Sequence, residues 1–171
     1  MENPIYHTTT LELIRVSQAY CQYLETCTEQ NKPDFCQTLL ALLPMVYIKI
    51  ITLPKSIENL DAYVQPYVTE DSYNAVRKNV SDILREDDDF LDVQVVEYKY
   101  SDQPVLCTVS EYLADVYQEL RNLVETFRDG HEEAMTQSLF DTLEEFRLTW
   151  GDKLLAALRT LHIIYNAEKE V

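Results

Sequence analysis

Three carboxylates stand four residues apart at Glu111, Asp115 and Glu119, in a stretch whose apolar spacing predicts a helix. Residues four apart lie along one side of a helix, and helical bundles present metal-binding carboxylates in this way. Here the column points elsewhere. The apolar stripe is Leu113, Val116, Leu120, Leu123, Val124 and Phe127. Glu111 and Asp115 project well away from it, and only Glu119 borders it. The di-iron pattern also needs Glu-x-x-His on two helices, and the sequence has no such pair. His131-Glu132-Glu133 is not a zinc HExxH motif, because Met135 stands where the second histidine belongs. Glu86-Asp87-Asp88-Asp89 begins like a calcium loop. It lacks the central glycine, and Leu91 occupies the next alternate place. These carboxylates read as a solvated face and a solvated acidic loop. No metal or cofactor is expected.

Nucleophilic chemistry has as little support. The cysteines stand at 21, 27, 36 and 107, with no CxxC pair and no histidine at zinc-finger spacing. They read as buried free thiols of a reducing compartment. No Ser or Cys sits in a recognisable elbow, and His7, His131 and His162 are the only histidines that could serve as base. No catalytic residue is assigned. Arg159 and His162, three apart on the last predicted helix, could hold an anion or pair with the acidic column; a surface ion pair is worth ~0–1 kcal/mol. Twelve tyrosines outnumber five phenylalanines. Tyr98, Tyr100, Tyr112 and Tyr117 cluster around the entry to the fourth helix, where an apolar ring with a polar tip suits a core edge or a contact surface. The candidate contact residues for a ligand or partner are these four tyrosines with Glu119, Trp150, Arg159 and His162.

The elements that must position these side chains are helices. Phe35 to Leu53 is the most apolar stretch, and the other helices are expected to bury it at their centre. A membrane span needs about 20 apolar residues. Leu39 to Leu53 is shorter, contains Pro44 and Lys49, and is closed by Asp34 and Pro54, so a buried helix is expected, kinked at Pro44. A first helix over 10–30 starts from a Thr9–Glu12 capping box, and Pro33 or Asp34 opens the second. A linker spans 54–68, with Thr69 capping a third helix to about residue 85. A Thr108–Glu111 capping box opens a fourth over 110–128, and Gly130 closes it. From Glu132 the apolar phase runs unbroken to about Asn166, which predicts one helix of roughly 50 Å. Gly151 then lies inside a helix at about 1 kcal/mol against alanine, for which close approach of another helix is the first explanation and a bend the second. Between 93 and 108, Val96, Tyr98 and Tyr100 alternate and Val105-Leu106-Cys107 could pair back; a small hairpin and an ordered loop fit equally.

Composition agrees. Two glycines in 171 residues leave little material for phosphate loops, dinucleotide folds or β-hairpins. Fourteen basic against thirty acidic side chains give a net charge of −16, which excludes simple electrostatic binding to nucleic acid or anionic lipid. The N-terminus lacks a basic stretch followed by an apolar one, so no signal peptide and a cytoplasmic location are expected. The expected architecture is a single all-α domain over 1–171, an up-and-down bundle of five or six helices.

The ordered set LLPMVYIK in helix two, VTEDSY at the start of helix three, Tyr100-Ser101-Asp102-Gln103-Pro104, LADVYQEL in helix four, Trp150-Gly151-Asp152-Lys153-Leu154 and Ala157 to His162 resembles the bacterial domain-of-unknown-function family 5063. The resemblance covers nearly the whole chain and implies a small, single-domain helical protein. It carries no assigned activity, cofactor or catalytic residue. The leading expectation is a helical protein that binds another protein. A ligand- or metal-binding bundle enzyme and an acidic mimic of nucleic acid are the alternatives.

Overall fold

The computed structural model describes residues 2–93 and 103–167. Its helices are α1 (Thr8–Thr26), α2 (Lys32–Ile51), α3 (Glu70–Leu84), α4 (Val109–Asp129), α5 (Glu132–Glu145) and α6 (Gly151–Ala167). One turn of π-helix, Phe146–Trp150, joins the last two into a continuous rod. A short antiparallel pair, β1 (Asp89–Asp92) and β2 (Val105–Thr108), stands between α3 and α4. The architecture is all-α with one small hairpin.

Local chemistry explains most of the boundaries. Asn31 caps α2, its Oδ1 accepting from the Asp34 N–H, so the helix starts just ahead of Pro33. Thr69 and Ser72 form a reciprocal capping box at α3. Thr108 Oγ1 accepts from the Glu111 N–H at α4. Gly130 ends α4 at φ +76°, where a side chain would be strained. The start of α1 differs from expectation. His7 is the cap, and its Nδ1 accepts from the Thr9 N–H. The preceding turn, Pro4–Tyr6, buries Ile5 and anchors Thr10 through the Pro4 carbonyl, which moves the start back to Thr8.

The hairpin is real, but its first strand is earlier than the alternation predicted. Asp89, the last residue of the run read as a solvated acidic loop, opens a strand, and Asp89–Asp92 pairs with Val105–Thr108 in the register Asp89↔Thr108 to Asp92↔Val105. Phe90 pins the strand by packing edge-on against Tyr112, with ring centroids 5.2 Å apart. Val96, Tyr98 and Tyr100 lie outside the described residues.

The centre of the bundle is α4, not α2. α4 packs against α1, α3, α5 and α6. Its buried set includes Leu113, Ala114, Val116, Leu120 and Leu123. α2 lies at the edge against α1 and α6, burying Phe35, Leu39, Leu43, Val46 and Ile50 and leaving Met45, Ile48 and Ile51 exposed. Its all-round apolarity pointed to the centre, whereas the amphipathic α4 collects more neighbours. By length and composition, α2 is also the one helix among the described residues apolar enough to cross a membrane. One core cluster runs from Ile5 to Ile164.

The single long helix from Glu132 is present, with a different reason for Gly151. A Cβ there would lie 2.5 Å from the Phe146 carbonyl oxygen and 2.9 Å from its ring. The close neighbour is therefore the preceding π-turn of the same rod, not another helix. The Gly151 N–H donates to that carbonyl, five residues back. The Phe146 ring is held edge-on between Tyr47 at 5.3 Å and Trp150 at 4.8 Å.

Candidate functional site

The sequence-selected residues that the structure describes do not converge on one place. Trp150 is buried, its indole N–H donating to the Thr142 carbonyl at 3.0 Å, and it serves the core at the π-turn. Tyr112 and Tyr117 are buried on α4. The Tyr112 hydroxyl donates to Asp92 Oδ2 at 2.8 Å and ties β1 to the bundle. The Tyr117 ring lies 5.9 Å beneath the Arg121 guanidinium. Tyr117 borders the groove among α1, α4 and the start of α3. Tyr98 and Tyr100 lie outside the described residues. His162 is exposed on α6 beside Asn166, whose Nδ2 donates to the His162 carbonyl at 2.8 Å.

The acidic column of α4 is less solvated than its helical angle suggests. Asp115 accepts from the Tyr73 hydroxyl at 2.6 Å and pairs with Lys153 Nζ at 2.7 Å, joining α3, α4 and α6. Among the described residues, Lys153 is the cation paired with this column, at Asp115. Glu119 lies deeper. Burial, and then the neighbouring carboxylates of Glu145, Asp115 and Asp141, push its carboxyl up to about 7. Among the described residues no group of three or more His, Cys, Asp or Glu is placed to hold a metal ion. The thiols are similarly quiet: burial pushes Cys21 up to about 12 and Cys27 to about 11, leaving them far from thiolates at neutral pH.

Two open grooves stand out among the described residues. One, of about 620 Å³, lies among α1, α4 and the start of α3. Most of its charges are paired internally: Arg121 pairs with Glu25 and Glu125, and Arg128 with Glu125, while the buried Arg121 Nε has no hydrogen-bond partner among the described residues. This groove reads as the seam that locks α1 to α4. The other, of about 570 Å³, runs between β1 and α6. Its apolar lining is unusually exposed: Leu91 is 65 % accessible, Val93 64 %, Leu155 45 % and Ile163 56 %. Among the described residues, Glu86, Asp87, Asp89, Asp92 and Asp152 also line it, with Arg159 as the one cation. Lys32 stands beside Asp87 at 2.7 Å. Of the sequence-selected residues that the structure describes, only Arg159 belongs to this groove. Its other members escaped notice because Leu91 and Val93 sit beside an acidic run that reads as a loop. The usable signal was that Leu155 and Ile163 fall outside the apolar phase of α6.

The model of the domain of unknown function DUF5063 matches residues 4–167, and the chain belongs to that family. The fold is also that of a crystal structure of protein BF1032 from Bacteroides fragilis, at 32% identity, a TM-score of 0.83 and 95% of each chain covered. No curated protein matches the chain.

Proposed function

We propose that this member of the DUF5063 family is a cytoplasmic interaction protein that acts by binding another protein through the groove between β1 and α6. The observation that carries the reading is an apolar strip left open to solvent in a groove that carboxylates also line. Exposed leucine and isoleucine grouped in a concave surface mark contact sites, whereas scattered ones do not. A net charge of −16 keeps the protein soluble around such a strip and disfavours nucleic acid as the occupant. Four free cysteines support a reducing location.

The test is affinity capture from native lysate with the tagged protein and its Leu155→Ser/Ile163→Ser variant. Both side chains are exposed on α6, so the variant retains the fold, which circular dichroism verifies. A stoichiometric partner retained by the unaltered protein and lost from the variant is the expected result. Equal retention by both rules out this groove.

A further inference from the structure

A helix at the edge of a bundle buries one apolar side and turns a polar one to solvent. α3 does so: Glu70, Asp71, Asn74, Arg77, Lys78 and Asp82 are exposed. α2 does not. Gln37, Ala41, Met45, Ile48 and Thr52 follow one another at steps of four, four, three and four and are all exposed, with Ile51 beside them. Residues at these steps form one continuous face. Met45 is 48 % accessible, Ile48 55 % and Ile51 62 %, so three large apolar side chains meet solvent within about two turns. None of these residues lines either groove, so the face is a separate surface.

The face also carries no charge. No carboxylate occurs between Asp34 and Glu58, the longest such interval in a chain that has thirty. Lys49, beside the face, is taken up by Glu12 of α1 at 2.7 Å. A strongly basic or acidic partner has nothing here to pair with. A second copy of this chain is in the opposite position. At −16 each, two copies repel wherever their carboxylates meet, and the α2 face lets them approach without setting carboxylate against carboxylate. We infer that α2 is a self-association surface, on which a second copy of the chain packs its own α2. Antiparallel packing about a two-fold axis sets Met45 of one copy against Ile48 of the other and Ala41 against Thr52, so the face is its own complement. The four-three-four spacing of Ala41, Met45, Ile48 and Thr52 is that of a helix–helix seam. A single helix face falls short of the ~800 Å² per partner of a standard interface, so the dimer is reversible. The inference does not depend on the groove between β1 and α6.

The test is sedimentation velocity of the full-length protein over a concentration series. A monomer–dimer equilibrium is expected. Raising the salt from about 0.1 to about 1 M shortens the screening length from ~10 to ~3 Å and should strengthen the dimer by relieving repulsion between copies. Met45→Glu/Ile48→Glu sets like charges opposite one another and should weaken it at least about hundredfold. Both side chains are exposed, so the variant folds, which circular dichroism and the melting temperature verify. Met45→Ser/Ile48→Ser should weaken the dimer in the same direction without adding charge. The groove variant Leu155→Ser/Ile163→Ser should dimerise as the unaltered protein does. A protein that stays monomeric to ~1 mM, a dimer that weakens as salt rises, or a dimer lost in the groove variant and kept in both α2 variants overturns the inference. So does a monomer that floats with phosphatidylcholine vesicles through Met45 and Ile48, which makes a lipid surface the occupant.

Discussion

Glu119→Gln should stabilise the protein, and only above mildly acidic pH. In the folded chain Glu119 is half-buried on α4. Burial is the largest cause of its raised pKa, followed by the carboxylates of Glu145, Asp115 and Asp141. The charged groups that act on it come from two elements: Asp115 on α4, and Asp141 and Glu145 on α5. The folded protein therefore holds the Glu119 proton up to about pH 7, whereas the ordinary value is 4.5. Between these values the native state binds more protons than the unfolded state, so stability falls as pH rises. The contribution is fully present below about pH 4.5 and lost by pH 7–8. Each pKa unit corresponds to ~1.36 kcal/mol, so ionised Glu119 costs the folded protein about 3 kcal/mol at pH 8. Glutamine keeps the shape and cannot ionise. The variant should melt roughly 6–12 °C higher than the unaltered protein at pH 8, at about 2–4 °C per kcal/mol for this chain length. At pH 4 the difference should shrink to about 1 °C. Differential scanning calorimetry of both proteins at several pH values measures it. A melting difference that stays constant across that range, or a variant less stable at pH 8, refutes the reasoning.

Two further substitutions probe the frame around the groove. Gly151→Ala, normally a gain of about 1 kcal/mol in a helix, should instead destabilise by about 1–3 kcal/mol in urea unfolding. The added Cβ meets the Phe146 carbonyl oxygen at 2.5 Å; a more stable variant would show that the π-turn relaxes freely. Asp88→Ala should cost about 2–3 kcal/mol, because the buried Asp88 carboxylate accepts from the Ser110 N–H at 2.7 Å and the Ser110 hydroxyl at 2.6 Å. These bonds couple the turn before β1 to the start of α4. A loss under about 0.5 kcal/mol by urea unfolding would mean that water replaces them.

Helix existence and most helix ends were legible in the sequence because both are set by neighbours in the chain. Thr69, Thr108 and Gly130 cap their helices through groups within a turn of themselves, as read, while the second helix starts at Lys32 from an Asn31 cap rather than at Pro33 or Asp34. The unbroken apolar phase from Met135 to Tyr165 foretold the long final rod for the same reason. What depended on distant residues was not legible. Apolar content made α2 look central, yet centrality is a count of neighbours, and α4 holds more of them. Asp89 looks like the end of a loop until Asp89–Asp92 pairs with Val105–Thr108 and Phe90 finds Tyr112. Asp115 looks solvated until Tyr73 and Lys153 arrive from two other helices. Gly151 is explained by a π-turn that no local pattern announces. The groove is the clearest case, since its two walls are separated by some sixty residues of chain. Composition, charge and periodicity determined that this is an acidic helical protein. Only the packing of α6 beside β1 decided where its exposed apolar strip lies, because a concave surface is a property of elements brought together and of none of them alone.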